Sequence, residues 1–270
     1  MKKSFKLVAS VLAILSLSAC ESLGEPLEYR EGLKQQAHYE AQAKDHLKNV
    51  YGYNNKLTLK LSSGSTTMTS TSTGQVHYDL SAVYYHSKAK ATVSMSGESA
   101  SATQEEYIYY KDGVLIDALQ SSTGTKTYSS VKMSQSEAKE YLLDNYITKS
   151  SDLSSLTEGT ISSVDTTNET SLEKYYLSVY EKDECKFYSK GEGNLTCKVK
   201  MNVQGKSGTT TLKFAIKMTG VFNDYVMTKV SMDATATYSG VKITLKLSSN
   251  GSESWKTTYP NLSGYARSLN

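Results

Sequence analysis

Arginine, proline, tryptophan and the usual catalytic signatures are all scarce in this chain. Only Arg30 and Arg267 among its 30 basic residues are arginines. Arginine is the common choice for bidentate recognition of carboxylate or phosphate, so dedicated anion sites are not expected. Gly-rich phosphate loops, Cys-x-x-Cys pairs, His-Glu-x-x-His and Gly-x-Ser-x-Gly are absent, which removes the motifs that carry the commonest enzyme chemistries. Four histidines, His38, His46, His77 and His86, are spread through the first third. His38 and His46 share a predicted helix, but a metal site needs more ligands at tighter spacing. No metal, no cofactor and no catalytic residue is expected, and the chain reads as a non-enzyme.

Charge is also missing. The formal net charge of +3 is carried by Lys2, Lys3 and Lys6 at the very N-terminus, and the remainder is neutral. Without a cationic stripe, a nucleic-acid partner is not expected.

Those three lysines belong to a different signal. Met1 to Lys6 is basic, Leu7 to Leu15 is apolar and Leu17-Ser18-Ala19-Cys20 ends in small residues. This order is that of a secretory signal peptide, and the apolar run is too short for a hydrocarbon core of about 30 Å. Leu-Ser-Ala-Cys resembles the lipobox of bacterial lipoproteins. The resemblance implies cleavage after residue 19, diacylation of Cys20, and residence at the cell membrane as a lipid-anchored protein on its extracytoplasmic side. Residues 20–26 would then be a short tether and 27–270 a single domain.

What the chain has in plenty is Tyr, Thr and Ser in alternating patterns; there are 21 tyrosines and two prolines. Such residues fit half-buried pleated surfaces. Leu27 to Val50 reads as a helix on the spacing of Leu33, Ala37, Ala41, Lys44, Leu47 and Val50. From Asn55 the period changes to 2: Leu57, Leu59 and Leu61, then Val76 to Tyr84, then Ala89 to Met95. Lys111-Asp112-Gly113 is a hairpin turn. Ser134-Gln135-Ser136-Glu137 is a capping box opening a second helix that should run to about Thr148. A polar connector over residues 150–159 leads to further strands at Thr160 to Val164 and Leu172 to Glu181, then to five more between Lys182 and Leu247. Trp255 lies in a tail expected to pack back on the body. Clean alternation is the mark of antiparallel sheets with one buried face.

Cys185 and Cys197 flank the turn-rich segment 189–194. A hairpin centred on Gly191 would set them directly opposite, within reach of a disulfide. The alternatives are two buried free thiols or a slipped register. The apolar strand faces exceed what two slender helices obviously cover. Covered entirely, that face is a core; covered in part, the rest is a hydrophobic cavity. Met95, Met201, Phe214, Met218 and Met232 are its candidate wall residues, methionine being adaptable to irregular ligands.

Lipobox, N-terminal helix, alternating strands, mid-chain helix and further strands together resemble the LolA/LolB carriers and the LprG/LppX lipoproteins. The resemblance implies an α+β, mainly β fold: a single curved antiparallel sheet, or half-barrel, with two helices on its concave face. It also implies binding of a lipid or other amphiphile, so the expected function is a non-catalytic, membrane-anchored carrier of a hydrophobic or acylated envelope ligand. The alternative is a cell-surface interaction lipoprotein, adhesin-like or structural, with a filled core.

Overall fold

Alternation over most of the chain folds into one sheet of thirteen strands in this computed structural model. It describes residues 23–43, 45–147, 165, 167–207 and 210–268, with backbone only over 204–212. The expected signal peptide and Cys20 lie outside the described residues, as do the connector at 150–159 and the strand expected at 160–164. The first meander comprises β2 (Val50–Ser63), β3 (Thr66–Asp79), β4 (Tyr84–Met95), β5 (Glu98–Lys111), β6 (Val114–Ser121) and β7 (Lys126–Lys132). The second comprises β8 (Lys186–Ser189), β9 (Leu195–Ser207), β10 (Thr210–Asn223), β11 (Val226–Tyr238) and β12 (Val241–Ser252). Two short strands, β1 (Glu25–Leu27) and β13 (Ala266–Arg267), close the edges beside β8 and β7.

The meanders join edge to edge. β12 pairs with β2 over an unbroken register from Lys242↔Ser62 to Ser252↔Gly52, giving a single curved, open sheet. Every pairing is antiparallel except β7 with β13. Four hairpins close with the two-residue turns Ser96-Gly97, Asp112-Gly113, Asp224-Tyr225 and Ser239-Gly240, whose residues all have positive φ. Such turns match the right-handed strand twist and lock register.

Three helices pack on the sheet, one more than expected: α1 (Tyr29–Gln42), α2 (Gln135–Leu142) and α3 (Glu169–Val179). The capping box forms as read, with Glu137 N donating to Ser134 Oγ and Ser134 N to Glu137 Oε2. α2 runs on into a π turn over Leu143–Ile147. Leu33, Ala37 and Tyr39 of α1 and Leu172 and Tyr176 of α3 share a cluster with Phe187, Cys197, Val199 and Phe222. Gly32 makes the approach possible, since a Cβ there would lie 2.2 Å from the Phe187 side chain. Ala138 and Leu142 of α2 pack with Tyr51, Tyr53, Val76, Tyr78, Tyr85 and Ile108 at the other flank. Following the registers strand by strand puts both clusters on the same, inner face.

Two segments differ from expectation. α1 stops at Gln42 rather than reaching Val50, because Leu47 joins the second cluster while Ala41 joins the first. The chain is crossing there from one flank of the inner face to the other, and helical spacing alone does not register the change of partner. Leu172 to Val179, read as a strand, is α3. Leu172, Tyr176 and Tyr180 are four apart and all buried, and Asn168 caps the helix by accepting from Ser171 N at 3.0 Å. The strand-like content of Tyr and Val outweighed that spacing in the sequence.

The outer face is strapped by residues 253–268. Trp255 lies flat on His77 at 4.9 Å and 9°, a stacking that Gly52 permits because any Cβ would meet the indole. Tyr84 Oη donates to the Thr258 carbonyl at 2.7 Å, and Tyr259 meets Tyr84 and Tyr109 edge-on. The tail therefore packs back on the body as its sequence suggested. Beneath it His77 is buried, which together with the neighbouring His86 lowers its pKa to about 4. Burial also lowers that of His86, against the pull of Glu105.

Because the folded pKa of His77 lies below its unfolded value, its neutral form favours folding, and stability is full at neutral pH and lost as pH falls. The expected loss from this residue is roughly 1.5 kcal/mol between about pH 6.5 and about pH 5. Thermal unfolding followed by Trp255 fluorescence should show this slope, and His77→Phe should flatten it.

Candidate functional site

Period-2 alternation becomes continuous rows of side chains once the registers are known. On the inner face one row reads Met218, Met232, Leu247, Leu57, Ser72, Ala91, crossing β10, β11, β12, β2, β3 and β4. The next towards the hairpin tips reads Ile216, Ala234, Leu245, Leu59, Ser70, Val93, and a third Ala236, Ile243, Leu61, Met68, Met95. Among the described residues the helices pack mainly at the flanks: α1 against β8 and β9 and, more lightly, β11, α3 against β9, and α2 against β5. Leu57, Leu59, Leu61, Ile243 and Leu245 consequently stay half-buried, while Val93 and Met95 at the rim are 42% and 53% exposed. A band of apolar surface this wide on a soluble face is the kind of patch that marks an interaction site.

The five wall candidates do not all meet. Met218 and Met232 are direct partners, Met201 is opposite Ile216, and Phe214 is opposite Val203. Met201 and Met218 also lean on the α1–α3 cluster. Met95 lies four strands beyond Met232, about 19 Å across the sheet at ordinary strand spacing, and two rows nearer the hairpin tips. The band thus has two ends, with the leucines of β2 and β12 between them. Those leucines were visible in the sequence as alternating residues, but nothing local said that β2 and β12 are neighbours.

One row nearer the base the chemistry changes. Ser249 and Asn55 are direct partners, followed by Gly74 and Ala89. Asn55, Ser72 and Ser249 are 4%, 8% and 0% exposed, and among the described residues neither the Asn55 amide nor the two serine hydroxyls has a hydrogen-bond partner.

The expected disulfide is absent: Cys185 and Cys197 are free thiols. The hairpin is centred on Glu192, not Gly191. Gly191 and Gly193 both take positive φ, and the last pair before the turn is Ser189↔Leu195. This sets Phe187 opposite Cys197 and leaves Cys185 diagonal to it, a relation with Cα atoms about 7–8 Å apart, beyond disulfide reach. Burial raises both thiol pKa values, most strongly for Cys197, where the Glu40 carboxylate adds to it. Glu40 itself is raised by burial, against hydrogen bonds from Tyr176 and Gln36. Protonated, buried thiols are poor nucleophiles.

Of the histidines, His38 meets Glu169 at 3.1 Å, tying α1 to α3, and His46 stacks on Tyr225. His77 and His86 are direct partners on β3 and β4; His86 Nε2 lies 3.0 Å from Glu105, which also takes bonds from Lys88 and Tyr107. Their equal distance from the β3–β4 turn is the signal that could have found this pair. Among the described residues no group of three metal-ligating side chains occurs.

No family model and no curated protein matches the chain. Among solved structures, a DUF1329 family protein from Desulfovibrio piger is similar over 81% of this chain and 92% of its own, at 9% identity and a TM-score of 0.24. A likeness at that score carries no argument about the site.

Thiol titration of the native protein is expected to find neither Cys185 nor Cys197 reactive, and both should appear on denaturation without reductant. A reductant should leave Tm unchanged; a fall of several degrees would mean that a bridge exists.

Proposed function

We propose that this protein is a non-catalytic lipoprotein, anchored through Cys20 at the extracytoplasmic side of the cell membrane, that holds a hydrophobic or acylated ligand on the inner face of its sheet. The observation behind this reading is the apolar band of β10–β12 and β2–β4, which the helices leave uncovered. Each ligand methylene moved from water onto such a surface gains about 0.8 kcal/mol, so an acyl chain with ten methylenes covered gains about 8 kcal/mol before the costs of immobilising it. Neutral side chains along the rows suit a chain that slides in by its tail, and the methionines at one end suit chains of differing length.

Anchoring fits the same picture. β1 begins at Glu25 and pairs with β8, inside the segment expected to be tether. Only four residues would then separate a lipidated Cys20 from the sheet edge, a reach of at most about 18 Å. The band would be held close to the bilayer from which an amphiphile is drawn.

Protein purified from its host membrane and extracted with organic solvent should yield stoichiometric amphiphile by mass spectrometry. Leu59→Lys, which places a charge in the middle of the band, should lower that yield at least about tenfold through the cost of burying an unpaired ammonium, while circular dichroism stays that of a β protein. An empty extract from the unmodified protein would instead favour an interaction module with a filled core. Separately, Cys20→Ala should move the protein from the membrane fraction to the medium.

A further inference from the structure

The unpartnered polar atoms among the apolar rows ask for an explanation of their own. Leaving a buried amide or hydroxyl without a partner costs about 1–3 kcal/mol per group, and native interiors tolerate few such groups. Here three side chains cluster. Asn55 and Ser249 are direct cross-strand partners, so their Cα atoms stand about 4.5–5.5 Å apart, yet they do not bond to each other. Ser72 is two residues along β3 from Gly74, the other partner of Asn55. Together they offer an amide donor, an amide acceptor and two hydroxyls within the span of one small polar group.

Their electrical setting narrows what could complete them. Lys56 and Lys60 of β2, Lys88 and Lys90 of β4, Lys229 of β11, and Lys242 and Lys246 of β12 all sit at positions of the opposite parity, on the outer face. No lysine of the seat's own strands therefore faces it. Glu106, in the adjoining row opposite Ser87, is an acid on the same face. A carboxylate or phosphate brought here would lose its water and meet no cation of these strands, which is costly. An uncharged group that both donates and accepts hydrogen bonds meets the three side chains on equal terms.

We propose that Asn55, Ser72 and Ser249 form a polar seat for the uncharged head of the bound amphiphile, a hydroxyl-bearing ester or amide, with its chain lying along the neighbouring rows over the half-buried Leu57 and Leu59. This rests on the amphiphile-binding reading and adds to it the class of head group. It also assigns a role to residues whose polar character makes no contribution to the fold.

Binding of three ligands with one and the same oleoyl chain tests it: monooleoylglycerol, oleoyl ethanolamide and oleate, each measured by displacement of a fluorescent fatty-acid probe from delipidated full-length protein. The glycerol ester and the ethanolamide separate an ester from an amide source. At least one should bind about tenfold tighter than oleate, the difference made by a hydrogen-bonded neutral head against an unpaired buried charge. In Asn55→Leu combined with Ser249→Ala the preference should fall to about unity while the probe still binds. Tm should hold or rise, because replacing unpaired polar atoms by apolar ones removes a penalty. If the leucine overpacks and the double variant fails to fold, Ser72→Ala with Ser249→Ala gives the same reading without added volume. Equal binding of all three ligands by the unmodified protein would overturn the seat, as would an unchanged preference in the variants. Those results would leave amphiphile binding standing. Loss of all binding, probe included, would overturn amphiphile binding and the seat with it.

Discussion

The backbone ladder between β2 and β12 is the interaction on which everything else depends. Each meander is built from local hairpins whose two-residue turns fix their own register. Neither has a way to bury its inner face alone, because each carries helices at only one flank. The ladder joins strands nearly two hundred residues apart and makes one face out of two. Side-chain direction has a period of two, so a slip of one residue in this pairing would turn an entire half of the molecule inside out. The sequence guards against that slip by chemistry: Leu57, Leu59 and Leu61 meet Leu247, Leu245 and Ile243, while Lys56 and Thr58 meet Ser248 and Lys246.

From that ladder follow two faces with opposite solutions to the same problem. The outer face is covered by the C-terminal tail near β3–β7, where aromatic rings stack on one another, and elsewhere carries lysine, threonine and serine in water. The inner face is covered by helices at its flanks and is mainly apolar through its middle, with Ser70, Ser72, Asn55 and Ser249 as the polar exceptions. Among the described residues, three helices of at most 14 residues leave the middle of this sheet without a roof. The uncovered band is thus a consequence of element lengths, and those lengths are set by the sequence.

Much of this was legible beforehand, for identifiable reasons. Strand alternation, the Ser134–Glu137 capping box and the Asp112-Gly113 turn are local features, and each appears where its residues said it would. Errors arose where a local pattern had two readings or needed a distant partner. The Leu172 segment carries both a four-residue spacing and strand-favouring side chains, and burial against α1 decided for the helix. A turn centred on Gly191 would set the two cysteines opposite each other, but two glycines in left-handed conformations shift its centre by one residue. That shift moves the partner by two, which retains the face and loses the bond. The pairing of β2 with β12, the stacking of Trp255 on His77 and the meeting of Asn55 with Ser249 depend on contacts that no window of the sequence contains.

Asn55 and Ser249 also show how the ladder bears on function. Had they faced outward, next to Lys56 and Ser248, they would be ordinary solvated residues. The register that makes the leucines meet makes these two meet as well, buried and unpaired. Folding alone would be served better by alanine or leucine at both places, since net stabilities of about 5–15 kcal/mol leave little room for idle penalties. Strained or unsatisfied groups that persist in an otherwise consistent sequence are expected where function sets the choice. Here they stand at the inner end of an apolar band that no described helix covers, beside strands whose cations all point away. An amphiphile with a neutral head satisfies both deficits at once, covering the leucines with its chain and the orphaned amide and hydroxyls with its head, and neither a bare hydrocarbon nor a charged lipid does so.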